Sequence, residues 1–172
     1  MNRIFLVGFT GSGKSSIGKK LANQLHFDFF DTDAEIERIT GKTIAQIFED
    51  EGEIYFREKE HTLITELSLK NNIVVSTGGG TPCFFDNMQK MNQTGLTIYL
   101  HASPSLLKHR IANQKHQKPL LKNIPDEKMT THITQLLQQR ETYYQQAQIT
   151  VEAFNITAKK LLWIIEGKEV GI

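Results

Sequence analysis

Gly8-Phe9-Thr10-Gly11-Ser12-Gly13-Lys14-Ser15 is the stretch that decides how this chain folds. The eight residues fit G-x-x-x-x-G-K-[ST], a phosphate-binding loop that needs a strand before it and a helix after it. Both are present. Ile4-Phe5-Leu6-Val7 is a short apolar run that reads as a buried strand, and Ile17, Leu21 and Leu25 recur at helical spacing. That order aims a helix N-terminus at an anion. The backbone N–H groups of Gly11, Ser12, Gly13, Lys14, Ser15 and Ser16 then ring a β-phosphate, Lys14 reaches the β/γ oxygens, and the Ser15 hydroxyl faces Mg²⁺. Glycine here permits positive φ and a backbone approach that any Cβ blocks. With Gly near 7% of ordinary sequences, four fixed positions match by chance in fewer than about one chain in a hundred of this length. The loop implies binding of a nucleoside triphosphate, with ATP the expected one.

Outward from the loop, strands and helices alternate. Phe27-Asp28-Phe29-Phe30 reads as a second strand ending in Asp31-Thr32-Asp33, and a helical pattern runs from Asp33 to Gly41. Thr43 reads as the N-cap of a helix carrying Ile44, Ile47 and Phe48, which Gly52 breaks; the next helix carries Phe56, Leu63, Ile64 and Leu67. Ile73-Val74-Val75 is a third strand that ends at Thr77-Gly78-Gly79-Gly80, and Pro82 predicts the first turn of a helix reaching about Met91. Leu96 to Leu100 is a fourth strand; Ser103 caps a helix with Pro104 at its first position. Residues 112–125 are polar and basic, then broken by Pro119-Leu120-Leu121, which predicts a mobile segment. A long helix from about Asp126 to Gln146, a fifth strand at Ile149-Thr150-Val151 and a last helix with Leu161, Leu162 and Ile165 complete the chain. The expected fold is α/β: five strands in a mostly parallel sheet, covered by helices on both faces. Ligands of such sheets bind outside the carboxyl ends of the strands, where the loop, Asp31, Asp33 and the triple glycine all fall.

Composition narrows the function classes. At 172 residues one domain, 1–172, is expected. Lys plus Arg is 20 against 19 Asp plus Glu, so no basic field points to nucleic acid. Of those cations 15 are Lys and five are Arg, so each Arg raises the question of whether a planar fork is required there. Cys83 is the single cysteine, which fits a reducing compartment. No signal peptide is expected, and no apolar run approaches the roughly 20 residues that span a bilayer. A soluble, cytoplasmic protein with no membrane partner is the expectation.

Asp31 and Asp33 stand i, i+2 at a strand end, so one can face a metal and the other a neighbouring acceptor. A helix N-cap at Asp33 explains part of the pattern in blander terms. No Asp follows Val74-Val75-Ser76, which leaves Asp31 as the carboxylate for Mg²⁺, through water. Arg57, Arg110 and Arg140 each read alone as surface helix charges, as do Arg38 and the terminal Arg3. Gly78-Gly79-Gly80 is costly in backbone entropy and marks a place where something must approach closely.

In this order the motifs resemble the shikimate kinase family, small P-loop kinases of the nucleoside-monophosphate-kinase type. The resemblance spans nearly the whole chain. It rests on the phosphate loop, Asp31-x-Asp33 followed by Ile36-Glu37, Gly52-Glu53-x-x-Phe56-Arg57-x-x-Glu60, Ser76-x-Gly78-Gly79-Gly80, Pro119-Leu120-Leu121, and Arg140 followed by tyrosines. It implies transfer of the ATP γ-phosphoryl to the 3-hydroxyl of shikimate by a monomer. By the same resemblance Asp33 holds the ring hydroxyls and accepts the attacking hydroxyl's proton. Arg57 and Arg140 grip the carboxylate with a backbone N–H of Gly79, Gly78 and Gly80 flank it, Glu60 orients the arginines, and Phe48 and Phe56 wall the pocket. The acceptor region falls at about 33–60 and the lid at about 112–125. Arg110 and the loop 154–157 flank the adenine. The family carries Arg immediately before Pro-Leu-Leu, where this chain has Lys118; Lys supplies charge to the phosphates but no bidentate fork, and Lys115 or Lys122 can share that task. Two other readings stay open at this point: another small-molecule P-loop kinase, such as gluconate kinase, and a non-catalytic nucleotide-binding module.

Overall fold

The computed structural model of the chain describes residues 2–112 and 124–167. Five strands form one parallel sheet: β1 (Arg3–Val7), β2 (Asp28–Asp31), β3 (Ile73–Ser76), β4 (Leu96–His101) and β5 (Ile149–Glu152), in the order β2-β3-β1-β4-β5. β1 lies at the centre, with Leu6 opposite Ser76 on one side and Ile98 on the other. Its apolar run is continuous because both faces are covered: Phe5, Leu6 and Val7 have no exposed surface, and neither do Val74, Val75 or Ile98.

Eight α-helices among the described residues flank the sheet: α1 (Lys14–Leu25), α2 (Thr32–Thr40), α3 (Ile44–Asp50), α4 (Gly52–Leu67), α5 (Asn87–Thr94), α6 (Pro104–Ala112), α7 (Asp126–Tyr144) and α8 (Ala158–Ile165). Helix α1 buries Ile17 and Leu21, α4 buries Leu63, Ile64 and Leu67, and α8 buries Leu161. Each such side chain contributes about 1.5–3 kcal/mol. Thr43 and Gln46 close a capping box at α3, and Gly52 turns the chain at φ 85 where α4 begins. Ser103 caps α6 through the Leu106 N–H. No helix among the described residues is long and apolar enough to cross a membrane.

Two expectations need correction. Pro82 does not open a helix that runs to Met91. It sits in a short 3-10 turn, Thr81–Cys83, followed by extended Phe84, Phe85 at φ 52, and only then α5. The break turns Phe84 onto the Arg57 guanidinium at 4.2 Å and Phe85 onto the His61 ring at 4.9 Å. Second, α2 begins at Thr32, and its cap is Asp31, which accepts from the Ala34 N–H at 3.3 Å. Asp33 therefore stands in the first helical turn, not at the cap. Lys115, Lys118, Pro119-Leu120-Leu121 and Lys122 lie outside the described residues.

Candidate active site

Three cavities meet at the carboxyl end of the sheet. The first, of about 280 Å³, is bounded by the phosphate loop, Asp31, Asp33 and Thr77 to Gly79. The loop reaches its shape through left-handed backbone at Gly8, Gly11 and Gly13, with φ of 137, 86 and 100. Gly13 is the N-cap of α1, so the amides that follow it face the cavity with the helix dipole behind them. The Lys14 ammonium is buried inside the loop and donates to the carbonyls of Gly8 at 2.7 Å and Phe9 at 2.8 Å. Ser12 is buried beside it, while Ser15 and Ser16 stand in the first turn of α1. The Ser15 hydroxyl donates to Asp31 Oδ2 at 2.5 Å and lies 3.1 Å from Ser76 Oγ. A hydroxyl and a carboxylate at the mouth of a phosphate cavity are the hard oxygen donors that suit Mg²⁺.

The second cavity, of about 60 Å³, opens beside the first and shares Thr10, Asp33, Gly78 and Gly79 with it. Its far wall carries Arg57, Glu60, Arg140 and the paired rings of Phe48 and Phe56, whose centroids are 5.0 Å apart. Arg57 is not a surface charge: it is 4% exposed. Nη1 donates to Glu60 Oε2 at 2.7 Å, Nε and Nη2 both reach Glu53 Oε1, and the plane lies between Phe56 and Phe84. Removing one partner of a buried ion pair typically costs about 3–5 kcal/mol. Glu60 is therefore the group that makes a buried guanidinium tolerable at this wall. Burial pushes the Glu60 carboxyl above the usual carboxylate range, against the Arg57 charge and the Thr81 hydroxyl, which favour the anion.

Arg140 reaches the same cavity from α7 and lies over the Phe9 ring at 5.5 Å. Tyr144, one turn on, donates to the Gly79 carbonyl at 2.5 Å. None of the three consecutive glycines has positive φ; their role is space. A Cβ on Gly78 would stand 2.7 Å from Glu60 Oε1 and 2.8 Å from Asp33 Oδ1, and one on Gly80 would stand 2.6 Å from Arg57 Nη1. What approaches the glycines is, in the first place, the site's own polar side chains.

The third cavity, of about 330 Å³, lies behind the loop and is lined by Gly13, Lys20, Arg110, Ile156 and Thr157 among others. Arg110 bridges its two rims, donating to the Ser12 carbonyl at 2.8 Å and the Ala153 carbonyl at 3.0 Å. Of the loop 154–157, Ile156 and Thr157 line the cavity, while Phe154 is exposed to solvent. Arg38 is an exposed helix charge paired with Glu35, and Arg3 ties the carbonyls of Thr94 and Lys70 together. Cys83 is half-buried, and burial pushes its thiol up to about 11, so it packs as an inert residue.

Sequence reasoning gave no individual site role to Thr10, Glu53, Ser76, Thr81 or Phe84, although Thr10, Glu53 and Ser76 stand within the motifs it quoted. Glu53 carried a readable signal, four residues before Arg57 on one helix face. Phe84 carried none, because its place depends on the break after the 3-10 turn.

The shikimate kinase family model matches residues 10–164. A shikimate kinase of Bacteroides thetaiotaomicron is 41% identical over 167 residues, covering 97% of this chain and 94% of that protein. The structure of a shikimate kinase from Acinetobacter baumannii in complex with shikimate superimposes with a TM-score of 0.90 at 35% identity, covering 99% of this chain and 96% of that one. A gluconokinase from Sinorhizobium meliloti shares the fold alone, with a TM-score of 0.54 at 17% identity over 96% of this chain and 90% of that one.

Proposed function

This chain belongs to the shikimate kinase family, and we propose that its three cavities divide that reaction between an acceptor, a phosphoryl group and an adenine. The activity is ATP-dependent phosphorylation of the shikimate 3-hydroxyl, giving 3-phosphoshikimate and ADP, and the gluconate kinase and non-catalytic readings are not favoured. The observation that carries the assignment of parts is Asp33, which lines both the acceptor and the phosphate cavities.

In this reading Asp33 receives the ring hydroxyls at the seam and takes the proton as the hydroxyl attacks. Phosphoryl transfer depends on positioning and on charge stabilisation more than on covalent help. Arg57 and Arg140 fork onto the shikimate carboxylate, with Gly79 N–H as a further donor, and Phe48 and Phe56 wall the ring. The cavity supports that pose because two guanidinium groups, Arg57 and Arg140, and the Asp33 carboxylate line it together. The amides of Gly11 to Ser16 cradle the phosphates, and Lys14 exchanges its loop carbonyls for β/γ oxygens. Ser15 and Asp31 would hold Mg²⁺, which supplies charge neutralisation at those oxygens. Arg110, Ile156 and Thr157 border the adenine. The segment 112–125 acts as a lid that excludes water, and Lys118 takes the place of the family's arginine as a point charge. The chain works as one domain, as a monomer, in the cytoplasm.

An acceptor panel tests this directly. ADP release should require shikimate and stay at background with gluconate or with no acceptor. ATP binding without shikimate-dependent ADP release would contradict it.

A further inference from the structure

The hydrogen bonds behind the acceptor cavity converge on a residue that takes no part in the reaction as proposed. Thr81 follows the triple glycine and has no exposed surface. Its hydroxyl donates to Glu60 Oε1, while the other oxygen of that carboxylate accepts from Arg57 Nη1. Its backbone N–H donates to the Gly78 carbonyl at 3.2 Å. A trans peptide keeps its C=O and N–H on opposite sides, so holding the Gly78 carbonyl also fixes the direction of the Gly79 N–H.

Thr81 is itself held. Its carbonyl accepts from Asn87 Nδ2 at 2.9 Å, and Asn87 has no exposed surface either. A carbonyl only accepts, so the Asn87 amide has one orientation, and its Oδ1 accepts from His61 Nδ1–H at 2.8 Å. Among the described residues no buried side-chain polar atom lacks a partner, so the network is complete.

Taking Arg57 and Gly79 as the carboxylate clamp, as above, we propose that Thr81 is a positioning residue that sets both arms of it. The hydroxyl sets the guanidinium through Glu60, and the N–H sets the Gly79 amide. Two donors from different elements, α4 and the loop after β3, are thereby referred to one buried residue. A valine would fill the same space and keep the N–H but would leave Glu60 Oε1 without its donor. The ionisable groups around Glu60 are Arg57 and, beyond it, Glu53 on α4, Asp33 on α2, Cys83 in the 3-10 turn, and Arg140 on α7.

The test uses Thr81→Val, Thr81→Ser and Arg57→Lys in the full chain, with thermal unfolding recorded for each. Thr81→Val should raise KM for shikimate about tenfold, the equivalent of about 1.4 kcal/mol, with KM for ATP unchanged. Thr81→Ser should restore most of the affinity. A packing defect alone would not alter carboxylate recognition, so the deciding readout is the kcat/KM ratio of shikimate over its uncharged amide. That ratio should fall several-fold in Thr81→Val. The acid limb of kcat/KM for shikimate should also move to higher pH, because a hydrogen bond donated to the Glu60 anion lowers its pKa and losing that bond raises it. Should Thr81→Val not fold, Thr81→Ala carries the same readouts. An unchanged ratio and acid limb in a folded Thr81 variant would overturn the proposal while Arg57→Lys still collapses the ratio. If Arg57→Lys leaves the ratio unchanged too, the clamp itself is misassigned.

Discussion

Gly80 has φ −90 and ψ −18, a backbone that alanine adopts without strain, so its cost on substitution is purely steric. The new Cβ would meet Arg57 Nη1 at 2.6 Å, and the guanidinium has little room to retreat. Phe84 and Phe56 bracket it, and Glu53 and Glu60 hold its edges. Gly80→Ala should therefore raise KM for shikimate about tenfold and leave KM for ATP unchanged, with overpacking lowering stability by about 1–3 kcal/mol. Steady-state kinetics and a thermal melt check both; a wild-type KM would show that Arg57 can move aside freely. The glycine run was legible in the sequence as a place without side chains. What fills the space was not, because Arg57, Glu60 and Asp33 arrive from other elements. Arg57 alone was ambiguous for the same reason: its burial depends on rings and carboxylates that only the fold brings to it.

At the scale of elements, the strands and most helices were readable because apolar runs and caps are local. The exceptions have local causes as well. Proline at residue 82 fits an α-helical first turn and a 3-10 turn equally, and Phe85 in left-handed backbone then stops the helix from continuing. Asp31 and Asp33 are both competent caps; the strand runs to Asp31, so the cap falls there, and the Asp31 carboxylate also holds Ser15. Among the elements the lid is read from the sequence and the family resemblance alone. Lys118→Ala should lower kcat more than it raises KM for shikimate, since a charge acting on the transferring phosphoryl stabilises the transition state more than the bound acceptor. An unchanged kcat would remove Lys118 from the mechanism.

On the scale of the whole molecule, placing β1 between β3 and β4 brings together parts far apart in sequence. The phosphate loop leaves β1, Asp31 and Asp33 lie at the end of β2 and just past it, and the triple glycine follows β3, all at the carboxyl end of the sheet. That convergence was foreseeable from the rule for parallel sheets, which needs only the alternation of strands and helices. The strand order and the sharing of Asp33 between two cavities required the three-dimensional arrangement. The central claim is that Asp33, at that seam, positions and deprotonates the acceptor hydroxyl. Asn in its place keeps the shape and removes the charge. Shikimate-dependent ADP release by Asp33→Asn is the most direct measurement, and a fall in kcat of about 10²–10⁴ with nucleotide binding intact is predicted; activity within a few-fold of the unsubstituted enzyme would contradict the account.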